Sequence, residues 1–320
     1  MNILISSAGR RVKVVQYFKE NLNKVNGKVI TVDCDTKAPA LYFADDKDII
    51  PRVDDKNYLD KLINICEKYK VDAILSLIDP ELEILAANRK VFDDLNVKLI
   101  LSPLEMLVIG YDKLAMYDYL LKKDIPCVPT FNNIEIVEEK IKQNLLDFPF
   151  IIKPQKGSAS IGIELANNVE ELKTIFAKED NLIIQPFYKD KEFGIDVYID
   201  LLDGHLVDIF IKEKISMRSG ETDKSIAIHN SKITSLIKDF VIKTNFKGQI
   251  DIDCFEYKGN YYISEINPRF GGGYPHAHEA EVNFVEYIIR NLNDRVNKKY
   301  TSYNYEVGSI MMKYDDVKLI

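Results

Sequence analysis

Short apolar runs alternate with helix-spaced patterns through the first third of the chain. Asn2–Ser6 is an apolar run, and Val12, Val15, Phe18 and Leu22 follow at helical spacing. A second apolar run covers 29–32. Leu59, Leu62, Ile63 and Cys66 mark one face of a helix over Tyr58–Tyr69. A third strand is predicted over 73–77, a third helix over 80–92 and a fourth strand over 98–101. Strands and helices in turn predict βαβ units and a parallel sheet.

The pattern then changes. A helix through Leu114, Tyr117 and Leu121 is broken by Ile125-Pro126. An apolar strand over 148–154 carries Lys153 near its end. A loop rich in small residues, 155–162, leads to a strand from Ile163. A helix over 169–177, a strand over 182–185 and an apolar elbow at Gln185-Pro186-Phe187-Tyr188 come next. Strands are predicted over 196–202 and 206–211. The dense charge run 212–224 reads either as a solvated loop or as a source of basic site residues. A helix over 231–244 has Ser231 as its candidate cap. Within 249–275, two runs rich in Ile, Tyr and Phe flank Lys258-Gly259-Asn260, a β-hairpin signal. A core helix over 282–292 and a strand over 307–314 complete the reading.

Composition narrows the class. A chain of 320 residues is long enough for two or three domains with a sizeable core. A hydrophobic content of 46% beside 29% charged residues predicts an ordinary soluble protein. The net charge of -7 argues against nucleic acid or an anionic membrane as the main partner. No apolar run is long enough to span a bilayer. The N-terminus places its arginines after the apolar stretch, as a first strand does and a signal peptide does not. Cys34, Cys66, Cys127 and Cys254 are scattered, without CxxC spacing, and predict reduced thiols in a cytoplasmic protein.

The candidate chemistry concentrates in the hairpin. Asp251 and Asp253 fall on its first strand and Glu265 on its second, with Asn267, Arg269 and Gly271-Gly272-Gly273 just beyond. Carboxylates, an amide and a guanidinium on one hairpin suggest a metal–phosphate site; a solvated sheet face is the plainer alternative. Lys113 starts a helix, where its charge opposes the dipole unless it reaches an anion. The loop after Lys153 offers free backbone N–H groups that could close over phosphates. Ser7-Ala8-Gly9 lacks a GxGxxG fingerprint, so dinucleotide binding is not supported. Arg10, Arg11, Asp79 and Glu81 follow strand ends, where ligands of open parallel sheets collect, although surface charge or helix capping would also explain them. His276 and His278 lack an evident third zinc ligand.

The order of these features, ending in ISEINPRFGGGYP with its Glu-x-Asn-x-Arg signature, resembles the ATP-grasp superfamily, in particular small carbamoyl-phosphate-synthase-like carboxylate–amine ligases. The resemblance implies an α/β fold with a parallel-sheet Rossmann-like domain (1–110), a small lobe bearing the glycine flap (111–188) and a large lobe bearing the metal and substrate site (189–320). It implies that Lys113 and Lys153 contact ATP phosphates under a flap of Gly157, Ser158, Ala159, Ser160 and Gly162. Pro186, Phe187 and Tyr188 would offer backbone groups to adenine, with Gln185 and Glu192 near the sugar. Asp253, Glu265 and Asn267 would hold Mg2+, or Mn2+. Arg269, with Lys212 and Arg218, would act on the transferred phosphate. Gly271, Gly272, Gly273, Tyr274 and His276 would lie by the substrate. Gln185 stands where many relatives have an acid, and Asp253 where Glu or Gln is common. The implied activity joins a carboxylate to an amine with release of ADP and phosphate, and relatives include dimers. Carbamoyl phosphate formation and a non-catalytic ATP-binding module are the other readings.

Overall fold

The computed structural model describes residues 1–157 and 162–320. Its strands are β1 (Asn2–Ser6), β2 (Lys28–Asp33), β3 (Asp46–Ile49), β4 (Ala73–Ser76), β5 (Lys98–Leu99), β6 (Phe150–Pro154), β7 (Glu164–Ala166), β8 (Leu182–Pro186), β9 (Glu192–Ile199), β10 (Leu206–Arg218), β11 (Glu221–Ala227), β12 (Gly248–Tyr257), β13 (Asn260–Asn267) and β14 (Ile310–Met312). Its helices are α1 (Val12–Asn23), α2 (Tyr58–Tyr69), α3 (Asp79–Ala87), α4 (Arg89–Asp94), α5 (Leu104–Tyr111), α6 (Lys113–Lys122), α7 (Ile134–Lys142), α8 (Val169–Phe176), α9 (Ser231–Lys243), α10 (Tyr274–Glu279) and α11 (Phe284–Leu292).

The first sheet is parallel, in the order β3-β2-β1-β4-β5. Its central strands are apolar on both faces because helices cover both, as parallel sheets require. β3 is an unexpected edge strand. Its sequence DKDI is charged at three consecutive positions, which suits an edge and hides it from a hydrophobicity reading. The expected helix over 80–92 is two helices, separated at Asn88, whose side chain bonds the carbonyl of Ile84.

A small antiparallel sheet, β7-β6-β8, and a larger sheet, β13-β12-β9-β10-β11-β14, follow. The charge run is not a solvated loop. β10 continues to Arg218 and turns at Ser219-Gly220, both at positive φ, into β11. Asn230, rather than Ser231, caps α9. The final strand is only Ile310–Met312. The expected hairpin is present, with Lys258 and Gly259 at positive φ between β12 and β13.

Packing brings the first and last thirds together. Ile3, Val15 and Phe18 share one core with Tyr198, Phe210, Phe270, Tyr274 and Phe284. Met106, Met116 and Leu120 of α5 and α6 pack with Ile195, Ile211, Ile252 and Ile266 beneath the large sheet. The opposite face of the large sheet packs through Tyr198 and Phe210 against the first core, and carries charged residues beyond them. Among the described residues, no helix is long and apolar enough to cross a membrane.

Candidate active site

Alternate residues of a strand share a face. On β9, β10, β12 and β13 that rule gathers Glu192, Gly194 and Asp196, then Lys212 and Lys214, then Asp251 and Asp253, then Glu265 and Asn267. The residues between them, such as Ile195, Ile211 and Ile252, are buried in the core beneath. Register aligns the set: Asp253 lies opposite Glu265, and Asp251 opposite Asn267. Across β9, Asp251 lies opposite Asp196 and Asp253 opposite Gly194.

Like charges in direct register repel, so this face needs cations. Lys214 supplies one, with its Nζ 2.6 Å from Asp253 Oδ1 and 2.7 Å from Glu192 Oε1. Burial opposes its charge, but Asp253, Glu192 and Asp251 outweigh burial and hold the ammonium well above its ordinary pKa. Lys212, fully buried, pairs with Asp196. Gly194 makes room for both: a Cβ there would meet Lys212 Cε at 3.0 Å and Lys214 Cε at 3.3 Å. Burial, with the charge of Asp253, pushes the Asp251 carboxyl up to about 7. Lys153 is desolvated by burial, which lowers its pKa, and feels the charges of Glu265, Lys113, Asp253 and Glu192. These groups therefore share one electrostatic environment. Lys113 Nζ donates to Gly157 O at 2.5 Å, and its helix is capped by Asp112, which also holds Gln155.

The donor set fits a hard divalent cation. Asp253, Glu265 and Asn267 offer only oxygens, as Mg2+ prefers. Asp253 Oδ1 is buried without a well-aligned hydrogen bond, although Lys214 is close. That oxygen has unused acceptor capacity.

The three glycines are explained by close approach rather than by turning. A Cβ on Gly271 would overlap the Asp251 carboxylate; one on Gly272 would lie 2.7 Å from Glu221 Oε2; one on Gly273 would lie 2.5 Å from Lys212 Cε. Each glycine lets the backbone pass against a different charged side chain. Arg269 is buried and donates from Nε and Nη2 to Asp79 Oδ2 at 3.1 and 2.9 Å, and from Nη2 to Asn267 Oδ1 at 3.0 Å.

Other expected residues stand apart from this face. Arg218 is exposed at the far end of β10, paired with Asp223 and Asp315, because the strand runs past the site into its turn. Gln185 is buried on β8 and donates to Thr130 Oγ1 at 2.8 Å. Tyr274 is fully buried, its hydroxyl accepting from Phe284 N at 2.9 Å. His276 is buried between Ser225 and Ser309. Pro186, Phe187 and Tyr188 are half-buried, and Phe187 N already donates to Pro149 O at 3.0 Å. Ser158, Ala159 and Ser160 lie outside the described residues; Gly157 and Gly162 flank them at positive φ.

Sequence reasoning gave no site role to Lys214, Asp196 or Glu221. The alternation through 209–214, with Ile209 and Ile211 facing one way and Phe210, Lys212 and Lys214 the other, is the signal that marks Lys214.

Comparison with known proteins agrees with this geometry. Residues 3–100 match the PylC-like N-terminal domain family, and residues 111–273 match the ATP-grasp domain family. The carbamoyl phosphate synthase large chain of Clostridium botulinum (strain Kyoto / Type A2) is 24% identical over 279 residues, a region covering 80% of this chain but only 25% of that protein. The fold is similar to the biotin carboxylase domain of Hydrogenobacter thermophilus 2-oxoglutarate carboxylase, with TM-score 0.74, 17% identity and coverage of 97% of this chain and 73% of that one. It is also similar to the ADP complex of Staphylococcus aureus N5-carboxyaminoimidazole synthetase (TM-score 0.72, 18% identity, 93% and 78% covered). A third similar fold is the L-amino acid ligase of Bacillus licheniformis (TM-score 0.68, 17% identity, 92% and 75% covered). With more than half of its length matched by that domain, and with Glu265-x-Asn267-x-Arg269 closing the hairpin, the chain belongs to the ATP-grasp family.

Proposed function

We propose that the protein is an ATP- and Mg2+-dependent ligase that activates a small carboxylate as an acyl phosphate for attack by an amine. The observation that carries this reading is the in-register pair Asp253 and Glu265, in the electrostatic neighbourhood of Lys153 and Lys113. Family membership supports the nucleotide, and the N5-carboxyaminoimidazole synthetase and L-amino acid ligase folds support C–N bond formation.

A carboxylate is a poor acyl donor because its leaving group is oxide. In the first step its oxygen attacks the γ-phosphorus of ATP, and the bond from that phosphorus to the β,γ-bridging oxygen breaks, releasing ADP. In the second, the amine nitrogen attacks the acyl carbon, the C–O bond to phosphate breaks, and nitrogen loses a proton. The protein positions reactants, balances charge and excludes water. Lys113 and Lys153 would grip phosphate oxygens, under the loop between Gly157 and Gly162. Asp253, Glu265 and Asn267 would hold Mg2+, or Mn2+ in its place. When bound, the cation would neutralise charge on phosphate oxygens. Arg269, whose Nε and Nη2 are held by Asp79 and Asn267 and whose Nη1 donates to Phe270 O, would steady the transferred group through its positive charge.

In this reading the chain divides into a Rossmann-like domain (1–110), a small lobe (111–188) and a large lobe (189–320), and works in the cytoplasm, as a homodimer if it follows dimeric relatives. The test is an ADP-release screen across amino acids and small carboxylic acids with paired amines. ADP and phosphate should appear only when both partners are present. AMP and pyrophosphate as products would overturn the proposal. Tight ATP binding without turnover of any pair would favour a non-catalytic module, and carbamoyl phosphate from bicarbonate would favour the synthase-like reading.

A further inference from the structure

Three cations converge on a single carboxylate at the seam between the first and last thirds. Arg10 Nη2 and Arg11 Nη2 each lie 3.2 Å from Glu221 Oε1, and Lys313 Nζ lies 2.9 Å from Glu221 Oε2. Arg10 and Arg11 come from the loop after β1, Glu221 opens β11, and Lys313 follows β14. Arg10 Nη2 also reaches Ser219 O at 3.3 Å, at the tip of the β10–β11 turn. The seam thus joins the turn after β1 to the end of the large sheet. Gly272 borders it, because a side chain there would occupy the place of Glu221.

One carboxylate leaves two positive charges in excess. The protein as a whole carries -7, so composition does not explain a local surplus. Nor does Glu221 compensate its neighbours fully. Burial depresses the pKa of Arg11, and Glu221 only partly offsets it while Arg269 and Arg10 add repulsion. Lys313 is depressed in the same way, by burial and by both arginines. Glu221 is held ionised, down at about 2, by Arg11, Lys313 and Arg10 against the cost of its burial. Arg10 is 57% exposed while Arg11 and Lys313 are largely covered, and such a partly buried cluster with surplus positive charge is stabilised by a further anion.

The position suggests what that anion belongs to. In the order β3-β2-β1-β4-β5, the chain leaves β1 toward β2 on one side, while β4 lies on the other. Ligands of open parallel sheets enter at such a switch point, outside the carboxyl ends of the strands. The helix after β4 opens with Asp79, which holds Arg269, and Arg11 feels the charges of both Arg269 and Asp251. The cluster is therefore next to Arg269 and Asp251, at the edge of the proposed site of phosphoryl transfer.

We infer that Arg10, Arg11 and Lys313 form a subsite for an anionic group, a carboxylate or a phosphate, that one substrate carries in addition to its reacting group. Glu221 orients the three cations and leaves their outer faces for the ligand. The inference rests on the ligase reading for the term "substrate", and it sets the class: a dicarboxylate, an amino acid or a phosphorylated metabolite, not a simple monocarboxylate paired with a simple amine.

The test separates the two readings. Protein loaded with Mg2+ and a non-hydrolysable ATP analogue is titrated calorimetrically with succinate, inorganic phosphate and acetate. Succinate or phosphate should bind at one site at least tenfold more tightly than acetate, and whichever binds identifies the carboxylate or phosphate source. Arg10→Gln and Lys313→Gln, whose side chains are partly exposed, should each weaken that binding at least tenfold with unchanged thermal melting. Equal affinity for acetate, or variants that bind like the wild type, would overturn the subsite. If the anion binds and the variants lose it, yet no acid–amine pair releases ADP, the subsite stands and the ligase reading fails. If ADP is released and both variants keep wild-type KM values for acid and amine, the reverse holds.

Discussion

The guanidinium of Arg269, on the segment after β13, is held by the carboxylate of Asp79, the first residue of α3. Both are buried, and two N–H groups of Arg269 converge on Asp79 Oδ2, while Oδ1 has no partner among the described residues. Burial opposes the Arg269 charge, but Asp79 and Asp251 raise its pKa above the ordinary value. The pair fixes the arginine of the Glu-x-Asn-x-Arg motif from a different domain-sized segment. Removing one partner of a buried pair costs about 3–5 kcal/mol because the other charge is stranded. Asp79→Ala should therefore lower stability by about that much, and Asp79→Asn by less, since its amide oxygen can still accept. Denaturant unfolding at neutral pH measures both. Equal stability of wild type and Asp79→Ala would show that Arg269 finds another partner at no cost.

The glycine run makes a graded prediction. Alanine at 271 would overlap the Asp251 carboxylate, and alanine at 273 would meet the buried stem of Lys212. Overpacking of this kind costs about 1–3 kcal/mol. Both substitutions should also displace a charged group of the site, so turnover should fall tenfold or more. Gly272→Ala would press on the Glu221 side chain at 2.7–2.8 Å and shift it against Arg10, Arg11 and Lys313, and should raise KM for the acid or amine more than it lowers kcat. Steady-state kinetics on the three single variants distinguishes this order from a uniform loss.

Much of this was legible in the sequence because period and turn chemistry agree with the fold. The alternation of apolar runs and helix-spaced patterns is the parallel sheet, and Lys258-Gly259 at positive φ is the expected hairpin turn. The Glu-x-Asn-x-Arg signature identified the family from local residues. What stayed hidden was non-local. The 212–224 run looks solvated because its charges are dense, yet Lys212 and Lys214 alternate with Ile211, Glu213 and Ile215 along a strand set between β9, where Lys212 lies opposite Gly194, and β11, where it lies opposite Ala227. β3 escaped because three consecutive charged residues carry no apolar signal. Asp79 and Glu221 could not be assigned roles, since each acts on partners from distant segments: Arg269 for one, Arg10, Arg11 and Lys313 for the other.

Lys214 holds the place of a cation between Glu192 and Asp253. Lys214→Ala would leave those carboxylates, and Glu265 opposite Asp253, without their ammonium. The variant should melt at a lower temperature than wild type in chelator. Added Mg2+ should raise its melting temperature more than it raises that of the wild type, because binding to the native state stabilises by mass action. Asp253→Asn should remove the Mg2+ response in either background. Thermal melts with and without Mg2+ test this without any substrate, and equal responses of wild type and Lys214→Ala would show that the lysine does not compete for the metal ligands.

His276 gives the fold a pH dependence whose sign follows from its environment. The ring is buried, with Nδ1 2.8 Å from Ser225 Oγ, Nε2 3.2 Å from Ser309 Oγ, and Phe210 against its edge. Burial, reinforced by the nearby charge of Lys212, lowers its pKa to about 4 from an ordinary 6.5. The unfolded chain therefore binds a proton in the window from 6.5 down to about 4 while the native ring stays neutral. Stability from this group is full above pH 6.5 and is lost as pH falls through that window. His278, stacked on Tyr17, is lowered to about 4 by its own burial and adds to the same trend. At neutral pH, His276→Gln should be less stable than wild type through lost packing. Between pH 7.5 and 4.5 that difference should shrink by about 2 kcal/mol, because the variant has no ring to protonate on unfolding. Denaturant midpoints for both proteins at the two pH values provide the measurement; a difference that stays constant would mean that the native ring titrates as freely as the unfolded one.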